Sequence, residues 1–339
     1  MNKEELNIID LEDGNTDASP SPDCPSDKKS KFKPLYIGGI IIALIIIVVL
    51  IKLIRWNAKS SAGIVPDVAA ENELENLDYF VYPNEAQKEL RNSDGVERIL
   101  LIGNNYSTSS VNNKSILSIL NEKVDAQIIP LIAESSILTA LGGESILGDR
   151  DAFNLYQVTK ALCTKEFSEL YYWKESSIFS SIADAESYLN LLSSLDMDKI
   201  DSVIIMYDLR DYYNCISVID PGNPDSLFGY YGCLKTAICM LQDTYPHLKI
   251  FVSSPTPGYM VDSDGTVLPS TQTDFGKGNS SYYADVAYTV ALEQFVSYID
   301  NYYYEISQDN VTSYLKDFKL TELGIETIGN HIADFLNQR

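Results

Sequence analysis

Three polar stretches of this chain hold side chains able to do chemistry. "GNNYSTSS" (103–110) offers two amides, Asn104 and Asn105, and the hydroxyls of Ser107, Ser109 and Ser110. "RDYYN" (210–214) sets Arg210 beside Asp211, and "YLKDFKLTELG" (314–324) carries Asp317 and Lys319 just ahead of an amphipathic run. An amide has no ionisable nucleophile, and a serine hydroxyl attacks only when a neighbouring base takes its proton. Imidazole is the usual base near neutrality, yet the whole chain has two histidines, His247 in "YPHLK" and His331 in the last apolar run. Both read as structural or solvated. A lysine can replace imidazole only when desolvation lowers its pKa toward 7; beside acidic Asp317, Lys319 is expected to stay protonated. The residues are better suited to binding, because a guanidinium presents a planar fork to carboxylate or phosphate.

These stretches must be positioned by a folded domain, and the composition says where it begins. Residues 1–34 hold eight acids and five lysines among few large apolar residues. They bury too little to offset ordering entropy and are read as a disordered cytoplasmic tail. From Leu35 to Ile51 the chain is apolar for 17 residues. With Lys52 snorkelling, the span 35–55 reaches about 30 Å as helix, with Tyr36 and Trp56 at its margins. It is read as an uncleaved signal anchor. The lysines at 28, 29, 31 and 33 outnumber the basic residues at 52, 55 and 59, which places the C-terminal domain outside the cytoplasm. Residues 56–95 are polar and weakly periodic and read as a stalk; the domain is expected over 96–339.

Residues 56–339 carry 40 acids against 18 bases. That field disfavours nucleic acid and anionic lipid. Cys163, Cys215, Cys233 and Cys239 match no metal or redox spacing and read as free thiols, so no metal and no cofactor is expected.

Within the domain, short apolar runs alternate with amphipathic ones. Strands are expected at 98–103, 125–133, 201–209, 249–257 and 296–304. Helices are expected at 153–163, 185–195, 227–245, 282–295 and 321–336. Continuous apolar strands alternating with helices predict an α/β fold, a three-layer doubly wound parallel sheet. In such sheets the loops at the strands' carboxyl ends carry the site. Those loops are the polar stretches above, together with "ESSIL" (134–138) and "PTPGYM" (255–260).

The order of these segments resembles the GDSL/SGNH hydrolase family over residues 97–337. "ILLIGNNYSTSS" is similar to the family's first block, Gly-Asp-Ser or Gly-Asn-Ser, which supplies the nucleophile. "VIIMYDLRDYYN" resembles the third block, Gly-x-Asn-Asp, whose Asn helps build the oxyanion hole. "YLKDFKLTELG" resembles the late Asp-x-x-His block. The resemblance implies an esterase fold, but its catalytic positions are changed. Asn105 stands for the serine, Arg210 for the oxyanion asparagine, Asp208 for the glycine, and Lys319 for the histidine in a loop one residue short. Asp317 survives without an imidazole to orient.

Deleting triad members in serine proteases leaves only about 10³ to 10⁴ of rate over water. The expected function is therefore a membrane-anchored, non-hydrolytic domain that binds or scaffolds cell-surface glycan or its modifying machinery. If the family geometry holds, Asn104, Asn105, Arg210, Asp211 and Lys319 line the ligand site. Arg210 and Lys319 could instead be consumed by ion pairs with Asp208, Asp211 and Asp317. Two other classes stand beside this reading: an esterase or deacetylase acting on acylated polysaccharide through a non-standard nucleophile such as a Ser–Lys pair, and a stalked domain that assembles with envelope proteins. The aromatic clusters at 170–173, 229–232 and 301–305 could stack on sugars but at their spacing fit core positions better.

Overall fold

The computed structural model describes residues 76–91, 94–134, 136–140, 151–174, 185–307 and 309–338. The expected tail and membrane span lie outside these residues. Among the described residues no helix is long and apolar enough to cross a membrane.

In chain order the elements are α1 (Glu85–Leu90), β1 (Arg98–Gly103), α2 (Ile116–Lys123), β2 (Gln127–Ile132), α3 (Leu155–Thr164), α4 (Ser168–Lys174), α5 (Ala185–Ser194), β3 (Ser202–Met206), α6 (Arg210–Tyr213) and α7 (Tyr230–Thr244). There follow β4 (Lys249–Ser253), β5 (Tyr259–Val261), β6 (Val267–Pro269), α8 (Ser281–Glu293), β7 (Ser297–Ile299), α9 (Val311–Tyr314), β8 (Leu315–Lys316), β9 (Lys319–Leu320) and α10 (Glu322–Leu336). Five strands form one parallel sheet in the order β2-β1-β3-β4-β7, and β5–β6 and β8–β9 are separate antiparallel hairpins.

Strand residues alternate between two apolar layers, as the two-residue period of a pleated sheet requires. Leu100, Ile102, Val203 and Ile205 face a core shared with α3, α5, α7 and α8. Ile99, Leu101, Ile204 and Met206 face the other, closed by α2 and α10. Each flanking helix buries its apolar stripe, and side-chain caps start several of them. Ser115 and Ser118 form a capping box on α2, and Thr321 Oγ1 accepts the Gly324 N–H at the start of α10, where an unpaired donor would otherwise be left. The expected three-layer parallel α/β architecture is what the chain adopts.

The domain starts earlier than the boundary at 96. Residues 76–91, which fall in the expected stalk, lie on it: Tyr79 pairs antiparallel with Tyr298 of β7, and Phe80 packs against the α2/α10 core. At the crevice end, β1 and β3 approach closely. A Cβ on Gly103 would sit 1.9 Å from the Met206 carbonyl oxygen, so only glycine fits there.

Candidate functional site

The strand order reverses between β1 and β3, and the loops leaving their carboxyl ends diverge to make the crevice. Asn104 follows β1 directly and is fully buried. Its amide nitrogen donates to Asp208 Oδ1 (2.9 Å) and to the Ser136 carbonyl (3.1 Å), and its oxygen accepts the Tyr106 N–H (3.1 Å). Asn104 thus ties the loops after β1, β2 and β3 together.

Arg210, at the start of α6, lies over this junction. Its Nε is 3.2 Å from Asp208 Oδ2, Nη1 donates to the Glu134 carbonyl, and Nη2 donates to Asn105 Oδ1. Burial pushes the Asp208 carboxyl up, with Arg210 and Asn104 pulling it back. Asp211 turns away from its neighbour into the interior. Its carboxylate accepts the backbone N–H groups of Leu138 (2.9 Å) and Thr139 (3.0 Å) and the Thr139 hydroxyl. Burial outweighs these donors and raises Asp211 to about 6.

The β8–β9 hairpin sits beside α6 through Phe318, whose ring packs on Tyr213 and covers Gly258. Asp317 occupies the left-handed turn position (φ 58°), and its carbonyl accepts the Tyr259 N–H at 3.3 Å. Asp317 and Lys319 are both exposed, and Lys316 stands opposite Lys319 across the hairpin. Among the described residues neither lysine has an ion-pair partner.

The structure thus brings Asn104, Asn105 and Arg210 together, sends Asp211 into the core, and leaves Asp317 and Lys319 at the surface. Of the ion pairs weighed from sequence, Arg210–Asp208 forms; Arg210–Asp211 and Lys319–Asp317 do not. The loop hydroxyls divide as well. Ser109 and Ser110 are exposed, whereas Ser107 is fully buried and its Oγ has no hydrogen-bond partner.

Neither imidazole reaches a serine hydroxyl. His247 Nε2 faces the Met197 and Ile200 carbonyls (3.2 and 3.1 Å). His331 faces Asn301 Oδ1 (3.1 Å) and Asp78 Oδ2 (2.8 Å). An amide therefore stands between His331 and Ser253, whose hydroxyl accepts from Asn301 Nδ2 at 2.7 Å.

Sequence reasoning missed the Glu134 carbonyl as an Arg210 acceptor, the Phe318–Tyr213 contact and the whole His331 cluster. Only the first had a local signal, since "ESSIL" ends a strand at the crevice.

Sheet order and crevice define the class, a doubly wound parallel α/β domain with its loops gathered at the β1/β3 switch. No family model matches the chain, and no curated protein does. Among solved structures, the aryl esterase of M. smegmatis is similar at 18% identity and a TM-score of 0.42, covering 71% of this chain and 99% of that one. A candidate GDSL-like lipase from Bacteroides ovatus is similar at 10% identity and a TM-score of 0.44, covering 73% and 100%. The lipase/acylhydrolase of Enterococcus faecalis is similar at 13% and 0.38, covering 70% and 94%. These are likenesses of fold at low identity and say nothing about chemistry in this chain.

Proposed function

We propose that the protein is a membrane-anchored, extracytoplasmic domain that does not catalyse acyl transfer and instead binds or scaffolds cell-surface glycan or the machinery that modifies it. One observation carries the reading. The Asn105 amide, at the position where the resemblance puts the nucleophile, accepts a hydrogen bond from the Arg210 guanidinium, at the position where it puts an oxyanion donor. Two groups that would have to engage a substrate's carbonyl are bonded to each other. No hydroxyl–imidazole contact stands in for them, and Lys319 lies in solvent rather than in the dry surroundings a lysine base needs.

The binding half of the proposal draws on the hairpin. Lys316 and Lys319 face one another in register, an arrangement that costs stability between like charges. They lie beside Tyr213 and Phe318 in a chain of formal net charge −23. Paired cations next to an aromatic face suit an anionic sugar such as a uronate or a phosphate-bearing polymer.

The test is direct. The purified domain should hydrolyse p-nitrophenyl acetate and acetylated xylan no faster than its Asn105→Ala and Lys319→Ala variants. It should be retained on acidic glycans in a way that weakens with salt and with Lys316→Ala/Lys319→Ala. A rate lost in either single variant but kept in a surface control would establish the esterase reading instead. Co-purification with membrane proteins and no glycan retention would point to the assembly class.

A further inference from the structure

Residues 76–82 run along the outer edge of β7. Tyr79 exchanges backbone hydrogen bonds with Tyr298 (3.0 and 2.8 Å), the Leu77 N–H donates to Asp300 Oδ2 (2.9 Å), and the Val81 N–H donates to Ser297 Oγ (3.0 Å). From this strap Asp78 reaches back into the domain. Its Oδ1 accepts the Asp300 N–H (2.8 Å), and its Oδ2 accepts from Asn76 Nδ2 (3.0 Å) and lies 2.8 Å from His331 Nε2. His331 projects from α10, is buried, and stacks flat on the Tyr304 ring at 3.8 Å.

Donor and acceptor accounting fixes the charge of this ring. Asn301 Nδ2 donates to Ser253 Oγ and to the Ser254 carbonyl (3.3 Å). A carbonyl can only accept, so the Asn301 oxygen must be the atom facing His331 Nδ1, and Nδ1 must donate. Both Asp78 oxygens already accept N–H groups, so Asp78 meets His331 as a carboxylate and Nε2 must donate too. With a proton on each nitrogen, His331 is an imidazolium.

The groups around it are Asp78 and Asn76 from the strap, Asn301 and Tyr304 after β7, Asp300 beside Asp78, and Glu305 and Asp334 about the Tyr304 ring. Lys249 of β4 lies 4.9 Å over the Phe80 ring on the strap's other side. The immediate surroundings are acidic or neutral and favour a cation.

We infer that residues 76–82 are a charge-latched strap, held closed on the β7 edge by the His331 imidazolium gripping Asp78, and loosened when that ring loses a proton. Closed, the strap fixes where the chain enters the domain and covers an edge that would otherwise offer unpaired backbone groups to other chains. When Nε2–H is lost, a lone pair faces a carboxylate and the grip becomes a repulsion.

Two measurements test this on the folded protein. Ring ¹⁵N NMR at pH 6 should show both His331 nitrogens protonated; an unprotonated Nε2 or Nδ1 at that pH overturns the inference. Hydrogen exchange should show the Leu77 and Tyr79 amides protected. Because a hydrogen bond between charged groups is worth about 1.5–3 kcal/mol, Asp78→Asn should speed their exchange about tenfold or more while leaving β1 and β3 amides unchanged. After correction for intrinsic base catalysis, the same two amides should lose protection between pH 6 and pH 9 in the wild type but not in Asp78→Asn. Strap protection unaltered by Asp78→Asn, or indifferent to pH, sinks the latch. Asp78 is partly exposed, so this variant does not depend on tolerating a change at buried His331.

Discussion

Desolvation raises the Asp211 carboxyl to about 6 although three donors point at it, and a shifted pKa is a statement about stability. The folded state holds this proton more tightly than the unfolded chain does. The resulting contribution is present below about pH 4 and is lost as pH rises through about 6, amounting to at most about 3 kcal/mol. Asp211→Asn cannot ionise. Urea unfolding of the two proteins should therefore show the wild type losing ground to the variant between pH 4 and 6.5; a constant difference across that window would rule the assignment out. Arg210 makes the opposite bargain, with its charge paired rather than stranded. Arg210→Ala leaves the mostly buried Asp208 carboxylate without its cation and should cost about 2–4 kcal/mol. Adding Asp208→Asn should recover part of that loss, and a double variant no more stable than Arg210→Ala would show the pair to be unimportant.

Elements of this domain differ in how plainly the sequence announces them, and the reason is where their partners lie. The strands at 98–103 and 202–206 are continuous apolar runs because both sheet faces are covered, and α10 shows its stripe over 15 residues. The eight-residue α2 is too short for its period to stand out from an apolar run. The strap is harder still. "NLDYFVYP" looks like stalk because its pairing residue, Tyr298, is 219 positions away, and nothing near Asp78 signals His331. At the site, the residue types at 105, 210 and 319 were legible, but the direction of the hairpin was not, because Phe318 rather than Lys319 turns inward. That contact gives a prediction. A Cβ on Gly258 would lie 2.4 Å from the Phe318 ring, so Gly258→Ala should destabilise by about 1–3 kcal/mol through overpacking. In a Phe318→Ala background the same change should cost clearly less, because residues in contact do not add. Equal costs in both backgrounds would mean that the hairpin does not pack as described.

The molecule as a whole keeps the framework of a crevice, namely the parallel sheet, the strand reversal and the gathered loops, while its interior bonds close the position where chemistry would occur. Loss of hydrolysis on this view is not two point changes that two reversions would undo. Asn105→Ser would restore a hydroxyl, but one facing the Arg210 guanidinium, already held by Asp208 and Glu134. Lys319→His would restore an imidazole, but on the outward side of a hairpin whose inward position belongs to Phe318. A positioned base contributes about 10²- to 10⁴-fold, and only within hydrogen-bond reach of the proton it takes. The double variant Asn105→Ser/Lys319→His should therefore hydrolyse p-nitrophenyl acetate within about threefold of Asn105→Ala, well below that range. Its rate should also show no rise with pH across the range in which imidazole titrates. A hundredfold gain with such a profile would mean that the crevice is open and the hairpin correctly aimed, and that residue identity alone separates this protein from a working esterase.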